Sequence, residues 1–136
     1  MQRHRLLVAA LLFATFAFGL ATRTSSLPWP NFVSQNFGDA LWAIAVYLLL
    51  AFLVPAARPM ALFFAALVIS FSVEFSQLAT FPWLVDARST LVGKLLLGRG
   101  FIWVDLFRYT VGIIVIFIGD FLVTQHYQKN QIIADI

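Results

Sequence analysis

The 136-residue sequence has no cysteine and only two histidines, and charged residues make up just 11% of it. Without cysteine there can be no disulfide framework, no thiolate nucleophile and no cysteine-based metal site. His4 and His126 stand far apart, outside the apolar runs, and form no His-x-x-x-His pair. No metal and no cofactor are therefore expected, and both histidines are read as solvated. A Gly-x-Ser-x-Gly elbow is missing too, and Gly98-Arg99-Gly100 is not a phosphate loop. Nine Lys and Arg against six Asp and Glu give a net charge of +3. These charges are scattered and form no basic block, which argues against nucleic acid as a partner.

The chain is instead 62% hydrophobic, well above the ~45–50% of ordinary soluble domains. About 20 consecutive apolar residues in a helix cross a bilayer's hydrocarbon core. Four such stretches are expected, at about 6–22, 39–54, 60–81 and 101–123. The predicted architecture is all-α: a polytopic, four-transmembrane-helix bundle occupying residues 1–136 as one membrane domain. The basic start Arg3-His4-Arg5 followed by an apolar run to Ala21 also fits a cleaved signal peptide. The run is long for that role, and Arg23 fits the site described below, so retention of the first span is expected. Pro55 to Pro59 is a tight break that makes spans two and three an antiparallel hairpin. Between spans three and four, Leu91, Val92, Leu95 and Leu96 form one apolar side of a short interfacial helix stopped by Gly98. Lys94 and Arg99 there are read as snorkelling to headgroups. Asp39 is read as a helix cap or site member. Ser72 and Ser76 are expected to bond their own backbone at i−4, and Asp120 has no assigned role.

Four spans put both termini on one side. Arg3, Arg5, Arg58 and Lys129 would lie there, against Arg23, Arg88, Lys94 and Arg99 opposite. The flank of the first helix carries most weight, so both termini are expected to be cytoplasmic.

The third stretch carries Glu74 inside an apolar run. An ionisable group costs ~2.5–3.5 kcal/mol at a helix centre, so it needs a partner. Counted from Phe81 and Phe101, Glu74 and Arg108 both lie seven residues in, at a depth of ~10 Å. They are expected to meet as an ion pair, leaving Asp105 to face Arg23 or Arg88. Ser70, Glu74 and Gln77 share one helix face, and Asp105, Arg108, Tyr109 and Gly112 share another. Gly112 and Gly119 would allow close helix approach. Such charges can serve only to fix helix register. Several opening toward one aqueous face favour a binding site instead. Glu74 and Asp105 are the candidate acid and base if the site is catalytic. Arg23, Arg88 and Arg108 could clamp an anion with or without reaction.

Glu74-x-x-Gln77, Asp86-x-Arg88 and Gly98-x-Gly100-Phe101-x-Trp103-x-Asp105-Leu106-x-x-Tyr109-x-x-Gly112 resemble the pattern of the VanZ-like bacterial membrane proteins. The likeness is nearest to a small uncharacterised family beside VanZ, whose features Arg23 and Gly38-Asp39-Ala40-Leu41-Trp42 also fit. The early His-Phe motif of VanZ itself has no counterpart here. The resemblance implies a polytopic protein of the bacterial inner membrane; VanZ is associated with low-level resistance to teicoplanin. It singles out Glu74, Gln77, Arg88, Asp105 and Tyr109, with Arg23. The expected function is binding of an anionic or sugar-bearing envelope lipid, precursor or glycopeptide-related ligand in an outward-facing polar pocket. A membrane enzyme acting on a lipid-linked substrate and a small transporter subunit are the alternatives.

Overall fold

In the computed structural model, described for residues 3–23, 29–97 and 100–134, six helices follow one another: α1 (Arg5–Arg23), α2 (Asn31–Leu53), α3 (Pro59–Ser76), α4 (Pro82–Ser89), α5 (Leu91–Leu97) and α6 (Trp103–Ala134). No strand occurs among the described residues. Four helices are long and apolar enough to cross a membrane, through Arg5–Thr22, Asn36–Leu53, Pro59–Ser76 and Trp103–Asn130. The protein is an all-helical membrane protein. Large apolar side chains cover its outside: Phe13 is 77% exposed, Val68 64% and Val115 60%. That outer surface requires lipid rather than water around it.

The helix ends have local causes. α3 starts with Pro59 at its first turn, where the missing N–H is no loss. It ends at Ser76, not at Phe81 as the hydropathy suggested. Pro82 holds Phe81 in an extended conformation (ψ 134°) and itself begins α4. α2 begins at Asn31 rather than Asp39, so Asp39 lies inside the helix and does not cap it. α6 runs on to Ala134, past the expected end near Val123, because no Gly or Pro follows Gly119. The single interfacial helix is in fact two. Thr90 breaks them, donating its hydroxyl to Ala87 O (2.7 Å) and accepting the Gly93 N–H (3.0 Å). A Cβ on Gly93 would lie 1.8 Å from Ala87 O, so the α4–α5 corner tolerates only glycine there.

α2 is the hub of the bundle: α1, α3 and α6 all pack on it, α3 also packs on α6, and among the described residues α1 packs on no other long helix. Ala43, Tyr47 and Ala51 repeat at one-turn spacing on α2 and meet Leu62 and Ala66 of α3 and Tyr109 and Ile113 of α6. α6 crosses α2 closely at Gly112, where a Cβ would lie 2.4 Å from Ala40 O. Gly119, expected to do the same, has open space around it. The two glycines share a helix face, but only one sits where the axes cross.

Gly112→Val should therefore wedge α6 from α2 and cost about 1–3 kcal/mol, read as a lower midpoint of thermal unfolding in detergent. Gly119→Val should leave that midpoint unchanged.

Candidate functional site

The polar residues of the bundle gather at its two ends. At the first end, α3 finishes beside the start of α6. Glu74, in the last turn of α3, has no exposed surface. Its Oε1 accepts the backbone N–H of Ile102 (2.8 Å), and its Oε2 accepts bonds from Tyr109 Oη (2.9 Å) and Gln77 Nε2 (3.0 Å). Ile102 precedes α6, and its carbonyl accepts the Asp105 N–H. Glu74 thus supplies, from a neighbouring helix, the carboxylate that a helix N-terminus favours. Arg88 of α4 does the converse at the end of α3, donating to Ala79 O (3.1 Å) and Ser76 O, cationic groups being favoured at a helix C-terminus.

One face further round, Arg108 bridges α6 and α2. It donates through Nε to Asn36 Oδ1 (2.9 Å) and through Nη1 to Asp39 Oδ2 (3.2 Å) and to Asp105. Arg108 and Asp39 are part-exposed, their side chains at 18% and 24%, whereas Asp105 is buried. Tyr109 sits between the two networks, its ring against Trp42 (centroids 5.5 Å apart) and its hydroxyl on Glu74.

Two expectations are corrected by this geometry. Glu74 and Arg108 do not pair, and Asp105 faces Arg108 rather than Arg88. Depth had been counted from Phe81, but α3 ends two residues after Glu74, which is ~3 Å along the axis. Glu74 consequently lies level with the first turns of α6, where Ile102 and Tyr109 are, and Arg108 on the neighbouring face turns toward α2. Ser76 donates to Val73 O, at i−3 instead of i−4. Arg23 ends α1, and its side chain, like those of Lys94 and Arg99, lies outside the described residues. Two partners were missed altogether. Asn36 shares the α2 stripe of Asp39, Ala43 and Tyr47, a periodicity visible in sequence. The Ile102 N–H is a backbone group, and no residue pattern announces it.

At the second end, Asp120 receives a bidentate pair from Arg3 (Nε 2.8 Å, Nη2 2.7 Å) and a bond from Tyr47 Oη (2.6 Å). Arg3 also donates to Pro55 O and Ala57 O in the α2–α3 break. Burial works against the charge on Arg3, but the bond and charge of Asp120 outweigh it and raise its pKa above the usual arginine value. Asp120, unexplained by sequence, thus ties α6 to α2 and to Arg3, two residues ahead of α1.

A crevice of about 30 Å³ opens between α1 and α2, lined by Thr15, Phe16, Gly19, Leu41, Trp42 and Ala45 among others. Its walls are apolar and include none of the charged residues. Among the described residues no set of three His, Asp or Glu side chains is grouped to hold a metal.

A family model described as "Protein of unknown function (DUF2809)" matches residues 28–113. The chain belongs to this family. No solved structure matches it. The part shared with DUF2809 runs from the approach to α2 to the third turn of α6. It contains the whole first-end network, from Asn36 and Asp39 through Glu74 and Arg88 to Tyr109. Arg3 and Asp120 fall outside it, so of the second network the DUF2809 match includes only Tyr47 and the Pro55 and Ala57 carbonyls.

Glu74→Ala would leave the Tyr109 hydroxyl, the Gln77 amide and the Ile102 N–H without their acceptor. It should destabilise the fold by about 3 kcal/mol or more, whereas Tyr109→Phe, which removes one donor, should cost about 1–2 kcal/mol. Thermal unfolding of the purified variants checks the order. At the other end, Arg3→Ala and Asp120→Ala should be non-additive, with a coupling of about 1–3 kcal/mol in a double-mutant cycle.

Proposed function

We propose that this chain is an integral protein of the bacterial cytoplasmic membrane, VanZ-like in character, that binds the polar headgroup of an envelope lipid at the α2–α6 end of its bundle. The observation carrying this reading is the contrast between the two networks there. Glu74 is sealed and its oxygens are occupied, whereas Asn36, Asp39 and Arg108 keep part of their surface around the buried Asp105 at one end of the bundle. Two carboxylates, the part-exposed Asp39 and the buried Asp105, flank the one guanidinium there. A bare phosphate would meet repulsion from them, so of the two ligand classes a hydroxyl-rich, sugar-bearing headgroup fits better: its hydroxyls can donate to the carboxylates and accept from Arg108. Glu74, Gln77, Tyr109 and Arg88 then act by holding the ends of α3 and α6 in place, and Arg23 remains in the proposed set on its position at the end of α1.

Catalysis with Glu74 as acid or base has less support. A general acid or base must reach the proton it transfers, and Glu74 has no surface to offer. Arg3 before α1 and Arg5 at its first position favour an orientation with both termini in the cytoplasm, which would turn the proposed headgroup site outward.

Mass spectrometry of lipids retained through purification in mild detergent tests the proposal. A glycosylated lipid should be enriched over bulk membrane lipid with the unaltered protein and lost in Asn36→Ala and in Asp39→Asn, with Gly119→Ala as the control that keeps it. Lipid profiles that match the bulk membrane in every variant would overturn it. Reporter fusions after Arg58 and at the C-terminus should both read out as cytoplasmic.

A further inference from the structure

Helices α4 and α5 carry a patch of large, exposed apolar side chains: Trp83 is 68% exposed, Leu91 75%, Val92 63% and Leu96 47%. They cannot fold back into the bundle, because the segment is already fixed. Leu84 is buried beneath it, Arg88 holds it to the carbonyls at the end of α3, and Gly93 sits directly on Ala87. The patch is a built feature of the fold.

Its level along the bundle is marked by tryptophan. Of the four tryptophans, Trp42 lies within the helix packing, and the other three stand at this one end. Trp29 precedes α2 and donates its indole N–H to Ala21 O near the end of α1 (3.0 Å). Trp103 opens α6 and is 72% exposed. Trp83 stacks on Phe81 at the entry to α4 (centroids 6.5 Å apart). Tryptophan concentrates where hydrocarbon meets headgroups, since its ring is apolar and its N–H needs a polar neighbour. We infer that α4 and α5 form a rigid strap lying in the headgroup layer of the leaflet at this end of the bundle, with Trp83, Leu91, Val92 and Leu96 dipped into its lipid. The occupant is bilayer lipid because the apolar face stands at the same level as Trp29 and Trp103 and continues the apolar outer surface of the four long helices. Asp86 is exposed on the same strap and belongs on the water side of that layer. Retention of any particular glycolipid is not required for this docking.

The lack of native cysteine permits a direct test on the full-length protein. Nitroxide labels are placed singly at Asp86→Cys, Leu91→Cys and Leu96→Cys in vesicles of phosphatidylethanolamine and phosphatidylglycerol. The labels at 91 and 96 should be relaxed strongly by oxygen and weakly by a water-soluble nickel chelate, and the label at 86 should show the reverse. Relaxation of all three by nickel would mean that the strap stands in water. Shielding of 91 and 96 from both reagents would mean that protein, such as a second copy, covers the face. Either result overturns the inference. A Trp42→Phe variant without labels gives an independent reading. Its tryptophan emission should be blue-shifted and lost chiefly to lipids brominated high on the acyl chain; loss chiefly to aqueous acrylamide would count against the strap.

Discussion

The bundle depends on one carboxylate meeting three donors at the end of α3 and the start of α6. Glu74 joins the end of α3 to the start of α6 through Ile102, Tyr109 and Gln77. A carboxylate buried in an apolar helix is costly alone, and a helix N-terminus buried without an acceptor is costly too. Each removes the other's penalty. The contact also sets register, since sliding α6 by one turn (~5.4 Å) would take both Ile102 and Tyr109 out of reach. Arg88 repeats the device on the final carbonyls of α3, so the two chain breaks that flank the α4–α5 strap are closed by side chains of opposite sign.

The same logic operates at the far end in a different form. Asp105 and Asp120 are fifteen residues apart on α6, or ~22 Å along its axis, which is somewhat less than the thickness of a hydrocarbon core of ~30 Å. Between them the interfaces are alanine, leucine, isoleucine and aromatic rings, with little to define register beyond the crossing at Gly112. The polar clusters at the ends therefore act as two pins on an otherwise greasy set of interfaces. Hydrogen bonds between helices in lipid are individually modest; their value here lies in removing alternatives, because each group has nowhere else to be satisfied.

This division of labour bears on function. Glu74 and Tyr47 are enclosed, and the part-buried Asp120 has both oxygens taken up by Arg3 and Tyr47, so these groups hold shape. Asn36, Asp39 and Arg108 are held in place by the same helices and retain some surface. A membrane protein this small has room for few polar groups. Those it leaves part-exposed, between α2 and α6 at one end of the bundle, are the groups proposed to meet a lipid headgroup.

Much of this was legible in the residues. Composition and the four apolar runs determined an all-helical membrane protein, because a chain without water around it must satisfy its backbone internally. Pro55 to Pro59 determined the α2–α3 hairpin, and helical spacing grouped Asp105, Arg108 and Tyr109 on one side of α6, which packing then divided between Glu74 and α2. Hydropathy could not locate the end of α3, since Leu78 and Phe81 are as apolar as the residues within the helix, and an error of one turn there reassigns every partner. Nor could sequence reveal Asp120: Arg3 is 117 positions away, and nothing local links them. What the sequence alone determined was which groups would need partners. Which partner each one took was decided by tertiary structure, because it depends on the relative height of helices, and that height is fixed only when they pack.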